Sequence, residues 1–190
     1  MRLFVAVELS EACKRALLRT QRLLSAFDRM ARWTRAEQMH LTLSFLGETP
    51  EDRVASVCSV LEAACGAVGP FEIKMHRAGC FPPRGRVRIV WVGVNAPGDM
   101  LNRTQRLIDD RLRQIGMTRD ERAFAAHLTI GRVRSDDSDG GLRAAVARVP
   151  VARVAQCVSA VALMESNLDS GGAVYMPVGR WPLRGSADES

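Results

Sequence analysis

The feature that most limits the folds open to this chain is that it repeats itself. Arg19-Thr20-Gln21-Arg22-Leu23-Leu24 returns as Arg103-Thr104-Gln105-Arg106-Leu107-Ile108, at an offset of 84 residues. His40-Leu41-Thr42-Leu43 returns as His127-Leu128-Thr129-Ile130, at an offset of 87. An insertion of three residues between the two segments reconciles the offsets. Two echoes in the same order, inside matching strings of elements, mark an internal duplication. A duplicated chain of 190 residues predicts two similar lobes with no linker between them.

The elements follow from periodicity. Residues 2–8 alternate as a strand. Ser10 is placed to cap a helix with Glu11 in its first turn and Cys13, Leu17, Thr20, Leu24 and Phe27 on one stripe. Residues 39–46 form a strand that ends at Gly47. Thr49-Pro50-Glu51-Asp52 starts a helix, with Thr49 as N-cap and proline at the first helical position. Val54, Val57, Cys58, Leu61 and Cys65 are its inward face. A strand over 71–79 closes the first half. The second half offers a strand over 86–94, then a helix with Leu101, Thr104, Ile108 and Ile115 on one side. A loop over 117–125 leads to a strand beginning at His127, and Ser135 to Gly141 is a polar turn. A helix over 142–149, a long apolar strand within 153–165 and a last strand over 173–177 complete the series. Strand, helix, strand, helix, strand thus occurs twice, in repeat halves at roughly 2–79 and 86–166 of one domain spanning 1–183. Residues 184–190 are small and polar and are expected to be a disordered tail.

Composition narrows the partners. Apolar residues make up 47% and charged residues 25%, which are globular proportions. No apolar run approaches the roughly 20 residues of a membrane helix. The apolar N-terminus stops at Glu8 without a cleavage signature, so a cytoplasmic protein without a membrane is expected. The net charge of +6 suits an acidic partner, mildly. Lys14 and Lys74 are the only lysines, so 25 of the 27 basic residues are arginine. That bias follows equally from GC-rich codons and from the fit of the guanidinium fork to phosphate. The five cysteines are odd in number and form no CxxC pair, which disfavours a disulfide scaffold and a cysteine zinc site. Cys13, Cys58 and Cys65 fall on apolar helix positions and suit the core.

Two of the three histidines sit in the duplicated tetrapeptide. On a strand, residues i and i+2 share a face. His40 and Thr42 therefore share one face while Leu41 and Leu43 point to a core, and His127 and Thr129 repeat the arrangement. If the lobes pack as a pseudo-twofold pair, two imidazoles and two hydroxyls line one cleft. One imidazole can accept a proton while the other donates one. Threonine hydroxyls can donate to phosphoryl oxygens without adding charge. The set matches in-line displacement at phosphorus with no metal and no cofactor. A lone strand histidine is more often structural, and the repetition is what argues otherwise. A metal site needs a third ligand. No acid lies on either histidine face within two residues, Ser44 and Gly131 take the next same-face positions, and His76 is the only spare histidine. No GxSxG, P-loop or GxGxxG motif occurs. Phe45 and Arg132 each follow their histidine by five residues. Phe45 shares the parity of Leu41 and Leu43, which favours the core over packing a nucleobase. Arg132 shares the parity of Leu128 and Ile130. A buried arginine is costly unless paired, so the strand is expected to end before it. Phosphate contact and solvated surface remain its two readings.

The two H-L-T-[LI] motifs resemble the paired HxTx motifs of the two-histidine phosphoesterases. Over nearly the whole chain, the sequence is similar to the LigT-like RNA 2′,3′-cyclic phosphodiesterases, also called 2′-5′ RNA ligases. Arg2-Leu3-Phe4-Val5-Ala6-Val7 resembles that family's opening strand, and His40 to Glu48 its first signature. Phe81-Pro82 and Arg88 to Gly93 resemble its middle, Ala126 to Arg132 its second signature, and Leu163 to Ser166 with Gly172 and Tyr175 its close. Ala126 stands where the family commonly has proline, and Arg119 to Ala125 also lacks prolines. The resemblance implies an α+β, bilobal pseudo-twofold fold, with antiparallel sheets lining a central cleft and helices outside. It implies His40 as proton donor to the leaving oxygen and His127 as proton acceptor from water. Thr42 and Thr129 would hold the phosphoryl oxygens, with Arg132 and Phe45 as further substrate contacts.

The activity so implied is opening of RNA 2′,3′-cyclic phosphate ends to 2′-phosphates by a monomer, without metal. Reversible, ATP-independent 2′-5′ ligation is the companion reaction, and tRNA fragments are among the RNA ends considered. Small cyclic nucleotides are a rival substrate. An RNA-end-binding module that has lost catalysis is a rival of another class. Arg84, Arg86 and Arg88 suit either an RNA backbone or a solvated face. With aromatics at 5%, a broad base-stacking surface is not expected.

Overall fold

The structure, a computed structural model, describes residues 1–117, 123–169 and 172–185. The first half runs β1 (Arg2–Glu8), α1 (Glu11–Leu23), β2 (Ala31–Trp33), β3 (His40–Glu48), α2 (Glu51–Gly66) and β4 (Phe71–Phe81). The second runs β5 (Ile89–Asn95), α3 (Met100–Gln114), β6 (His127–Val133), α4 (Gly141–Arg148), β7 (Ala155–Val158), β8 (Ala160–Asp169) and β9 (Gly172–Pro182). Ser10 caps α1 as its position predicts, accepting from the Cys13 amide. Thr49 does not cap α2. Pro50 takes the cap position, and the Thr49 hydroxyl donates to the Gly47 carbonyl instead. β5 begins at Ile89, three residues later than its pattern predicts. Part of the expected loop (118–122) and most of the expected tail (186–190) lie outside the described residues.

One antiparallel sheet carries the architecture, in the order β7-β4-β5-β6-β3-β1-β8-β9, with β2 added on β6. The apolar stretch within 153–165 is two strands and not one. The pattern runs across Ser159 without a turn signal, but β7 pairs with β4 and β8 with β1. Val158 and Ala160 are neighbours in the chain yet end strands far apart in the sheet order. Two residues span about 7 Å at most. The sheet must therefore curl until its two arms nearly meet, and the curl makes the cleft.

At its centre the sheet is joined thinly. β3 and β6 share one bridging pair, Leu41 with Leu128. Both side chains are buried, at 0% and 1% exposure, in one core cluster that runs through both arms. The pseudo-twofold relation passes through this seam, with β9-β8-β1-β3 on one side and β6-β5-β4-β7 on the other. The arms do not coincide with the sequence halves. β4 pairs with its chain neighbour β5 as a hairpin and so joins the second arm, while β8 and β9 return to the first. Two of the helices cross over as well, α1 touching β6 and α3 touching β3. Among the described residues, no helix is long and apolar enough to cross a membrane.

Candidate active site

The seam fixes the geometry. Continuing the Leu41–Leu128 register by one residue each way sets His40 across from Thr129 and Thr42 across from His127. All four are half-buried, on the face opposite the buried leucines. The sequence argument from strand parity holds for these four residues.

Each histidine is oriented by the backbone just before it. His40 Nδ1 lies 2.8 Å from the Gln38 carbonyl, and His127 Nδ1 lies 2.6 Å from the Ala125 carbonyl. A carbonyl oxygen only accepts, so Nδ1 carries a proton in both rings, and in a neutral ring the lone pair sits on Nε2. The same i to i−2 bond in both repeats gives the two rings matching tautomers. Sequence reasoning missed this, because nothing in the identity of Gln38 or Ala125 marks its carbonyl.

Parity fails at the fifth residue of each motif, and for the same reason twice. On β3, Val5 pairs with Ser44 but Ala6 with Thr42, so Leu43 is an extra residue. On β6, Val90 pairs with Gly131 but Trp91 with Thr129, so Ile130 is extra. An extra residue in one strand is a β-bulge, and it inverts the alternation beyond it. Phe45 therefore leaves the core and stands 50% exposed, with its ring 6.2 Å from that of Phe4. Strand β6 does not end before Arg132. It continues to Val133, and Arg132 pairs with Ile89 and Arg32 while facing solvent. Ser44, expected on the cleft face, is buried at 8%. The duplicated bulge puts one new side chain on the cleft face from each repeat.

Aromatic rings wall the two histidines. Phe4 lies 4.8 Å and Tyr175 5.1 Å from the His40 ring. Phe81 lies 5.1 Å from the His127 ring and 5.3 Å from Trp91, over which Arg77 sits. Trp91 lies so close over Gly79 that any side chain there would collide with it. A low aromatic content concealed how many of the rings converge here. Arg84, Arg86 and Arg88 are exposed around the loop after β4. The Asp136 carboxylate accepts from the Val87 amide, and Arg143 donates to the Pro82 and Gly85 carbonyls, which holds that loop. His76 packs over Gly93, the register partner of His127. Among the described residues, no group of three His, Cys, Asp or Glu side chains converges.

Burial pushes the His40 pKa down to about 4 against the opposing pull of the Gln38 carbonyl, and the nearby charges of Arg132 and His127 push the same way. The ring is thus neutral in the folded protein down to about pH 4, but charged in the unfolded chain below about 6.5. The unfolded state binds the extra proton, so stability is full above pH 6.5 and falls as pH drops towards 4. The loss amounts to at most about 3 kcal/mol. His40→Asn is expected to remove that part of the pH dependence. Urea unfolding of both proteins at pH 7 and pH 4.5 measures it, and equal losses would contradict the buried neutral ring.

A curled antiparallel sheet that presents two HxT strands about a pseudo-twofold seam defines a two-histidine phosphoesterase. The family model for LigT-like phosphoesterases matches residues 7–91. The RNA 2′,3′-cyclic phosphodiesterase of Methanothermobacter thermautotrophicus is 31% identical over 92% of this chain and 95% of its own length. The chain belongs to the LigT-like phosphoesterase family. The RNA 2′,3′-cyclic phosphodiesterase of Archaeoglobus fulgidus is 35% identical over 70% of this chain and 73% of its own. A solved Thermus thermophilus structure superposes with a TM-score of 0.86 at 27% identity, covering 98% of this chain and all of that one. Escherichia coli LigT bound to 3′-AMP shares the fold, with a TM-score of 0.78 at 22% identity over 96% and 97% of the two chains.

Proposed function

We propose that this protein hydrolyses RNA 2′,3′-cyclic phosphate ends to 2′-phosphomonoesters, with no metal in the chemical step. The observation that carries the reading is the matched pair of Nδ1-anchored imidazoles flanking one seam. Relatives named RNA 2′,3′-cyclic phosphodiesterase agree with it. His127 Nε2 accepts a proton from water as the water oxygen bonds to phosphorus. The bond from phosphorus to O3′ breaks in line, and His40 Nε2 delivers a proton to O3′. Thr42, Thr129 and Arg132 donate to the non-bridging oxygens, and Phe45 packs the terminal base. His40 is neutral in the free protein. The bound phosphodiester anion offsets the charge of Arg132 and lets the ring take up the proton it delivers. Attack by an RNA 5′-hydroxyl in place of water, with the same P–O3′ bond breaking and O3′ taking the proton, gives a 2′-5′ linkage without ATP. Substrates are RNA ends, tRNA fragments among them, acted on by a monomer in the cytoplasm.

The test uses 2′,3′-cyclic AMP and a short RNA with the same terminus, each in EDTA. Turnover of the RNA is the expected result. Turnover of the mononucleotide alone would replace RNA by a small cyclic nucleotide, turnover of neither would leave a binding module, and loss in EDTA would remove the metal-free step. Thr42→Val and Thr129→Val keep the side-chain shape and lose only the hydroxyl. Both are expected to lower kcat more than they raise KM, since the hydroxyls act on charge that develops in the transition state. A loss confined to KM would make them binding groups only.

A further inference from the structure

The duplicated Thr-Gln of α1 and α3 has no part in the chemistry above, yet both glutamines are buried, Gln21 at 7% and Gln105 at 4% exposure. A buried amide must find partners. Gln105 finds one on its own helix, the Asp109 carboxylate. Gln21 reaches out of its helix. Its Nε2 donates to the Thr34 carbonyl at 2.8 Å and to the Ile130 carbonyl at 2.8 Å. The Ile130 carbonyl also accepts the Thr34 amide at 2.9 Å.

Ile130 is the extra residue of the β6 bulge. A bulge takes backbone groups out of the ladder, and its geometry persists only where other partners hold them. Here the partners are Thr34 and Gln21. Thr34 starts the segment that leads through Gln38, whose carbonyl orients His40. One neutral amide with two N–H donors therefore ties α1, the approach to His40 and the bulge of the His127 strand. Asparagine is one methylene shorter, glutamate at neutral pH offers no donor, and methionine fills the volume with none.

We propose that Gln21 is a positioning residue for the phosphoryl-transfer site. It pins the Ile130 bulge, and the bulge sets Arg132 on the cleft face beside His40. Gln21 touches no reacting atom. The proposal rests on Arg132 acting on the phosphoryl group, as read above.

The test compares Gln21→Met, Gln21→Asn and Gln21→Glu with the full-length wild type on a 2′,3′-cyclic RNA end. Thr20→Val is the control, since Thr20 is also buried and its hydroxyl, among the described residues, bonds the Ala16 carbonyl of its own helix. Misplacing a catalytic group by about 1 Å costs roughly 10²-fold. Gln21→Met is therefore expected to lower kcat about 10- to 100-fold with little change in KM, and Thr20→Val to leave kcat intact. Gln21→Glu is expected to recover relative to wild type as pH falls, because a protonated carboxyl regains one donor, while Gln21→Met shows no recovery. If Gln21→Met does not fold, Gln21→Asn and the pH series of Gln21→Glu carry the test. Arg132→Met combined with each Gln21 variant closes it. A double mutant no worse than Arg132→Met supports the pin. Additive losses overturn it while leaving Arg132 in place, as does an unchanged kcat in every Gln21 variant. If Arg132→Met alone has no effect, the reading of Arg132 fails and the proposal fails with it.

Discussion

His40→Ala and His127→Ala are each expected to lower turnover of a 2′,3′-cyclic RNA end by roughly 10²–10⁴-fold, the usual range for a positioned acid or base. In the proposed mechanism the two rings act in one exchange, one taking a proton as the other gives one. Removing either stops the exchange, so the double mutant should be little worse than the poorer single mutant. Two losses that multiply would mean independent roles. Full activity in either single mutant would end the two-histidine mechanism. Asparagine makes a useful companion at both positions, since its amide N–H₂ can hydrogen-bond a backbone carbonyl without carrying a proton through the reaction. Loss of turnover in His40→Asn and His127→Asn, with folding intact, would separate chemistry from structure. The folded state should in fact resist acid better in His40→Asn, because burial holds the His40 pKa near 4.

The four HxT residues were legible because they follow the simplest rule of a strand, alternation. His40, Thr42, His127 and Thr129 need only stay in register for three residues, and they do. The repetition of the tetrapeptide supplied the pairing. The residues two and three further on were misplaced because a bulge leaves no mark in the pattern of apolar residues. Leu43 and Ile130 are apolar, β-compatible and buried, and they would look the same in a regular ladder. The same applies to Ser159, where an unbroken apolar pattern hides a change of strand partner. The exchange of β4, β8 and β9 between arms was not legible either, since either partner would bury the same faces. A signal for the bulge did exist. Arg132 in an inward position contradicts the cost of a buried charge, and Phe45 holds the same place in the first repeat. Those two facts together describe one distortion made twice, in place of a strand that ends early in one repeat and not in the other.

Arg132 is expected to show the second large effect. It stands on the exposed cleft face just past the bulge, close enough for its charge to depress the His40 pKa. In the proposed reaction the phosphoryl group gains negative charge as water adds, and a fixed guanidinium at this place would meet that charge with no reorganisation. Arg132→Met keeps much of the stem and removes the charge. Loss of one such donor typically costs about 10²–10³-fold in kcat. Arg132→Lys restores the charge but not the planar fork, so it should recover only part of the loss. A second consequence separates this role from simple binding. Without the guanidinium, one cause of the lowered His40 pKa is gone, so the ring should titrate at higher pH in Arg132→Met than in the wild type. Following the His40 ring by NMR across pH 3.5 to 7 measures it directly, on free protein, with no turnover needed. An unshifted titration with kcat intact would place Arg132 on the solvated surface, the other reading its sequence allowed. A lowered kcat with an upward shift of His40 would put the guanidinium, the imidazole and the phosphoryl oxygens in one electrostatic unit.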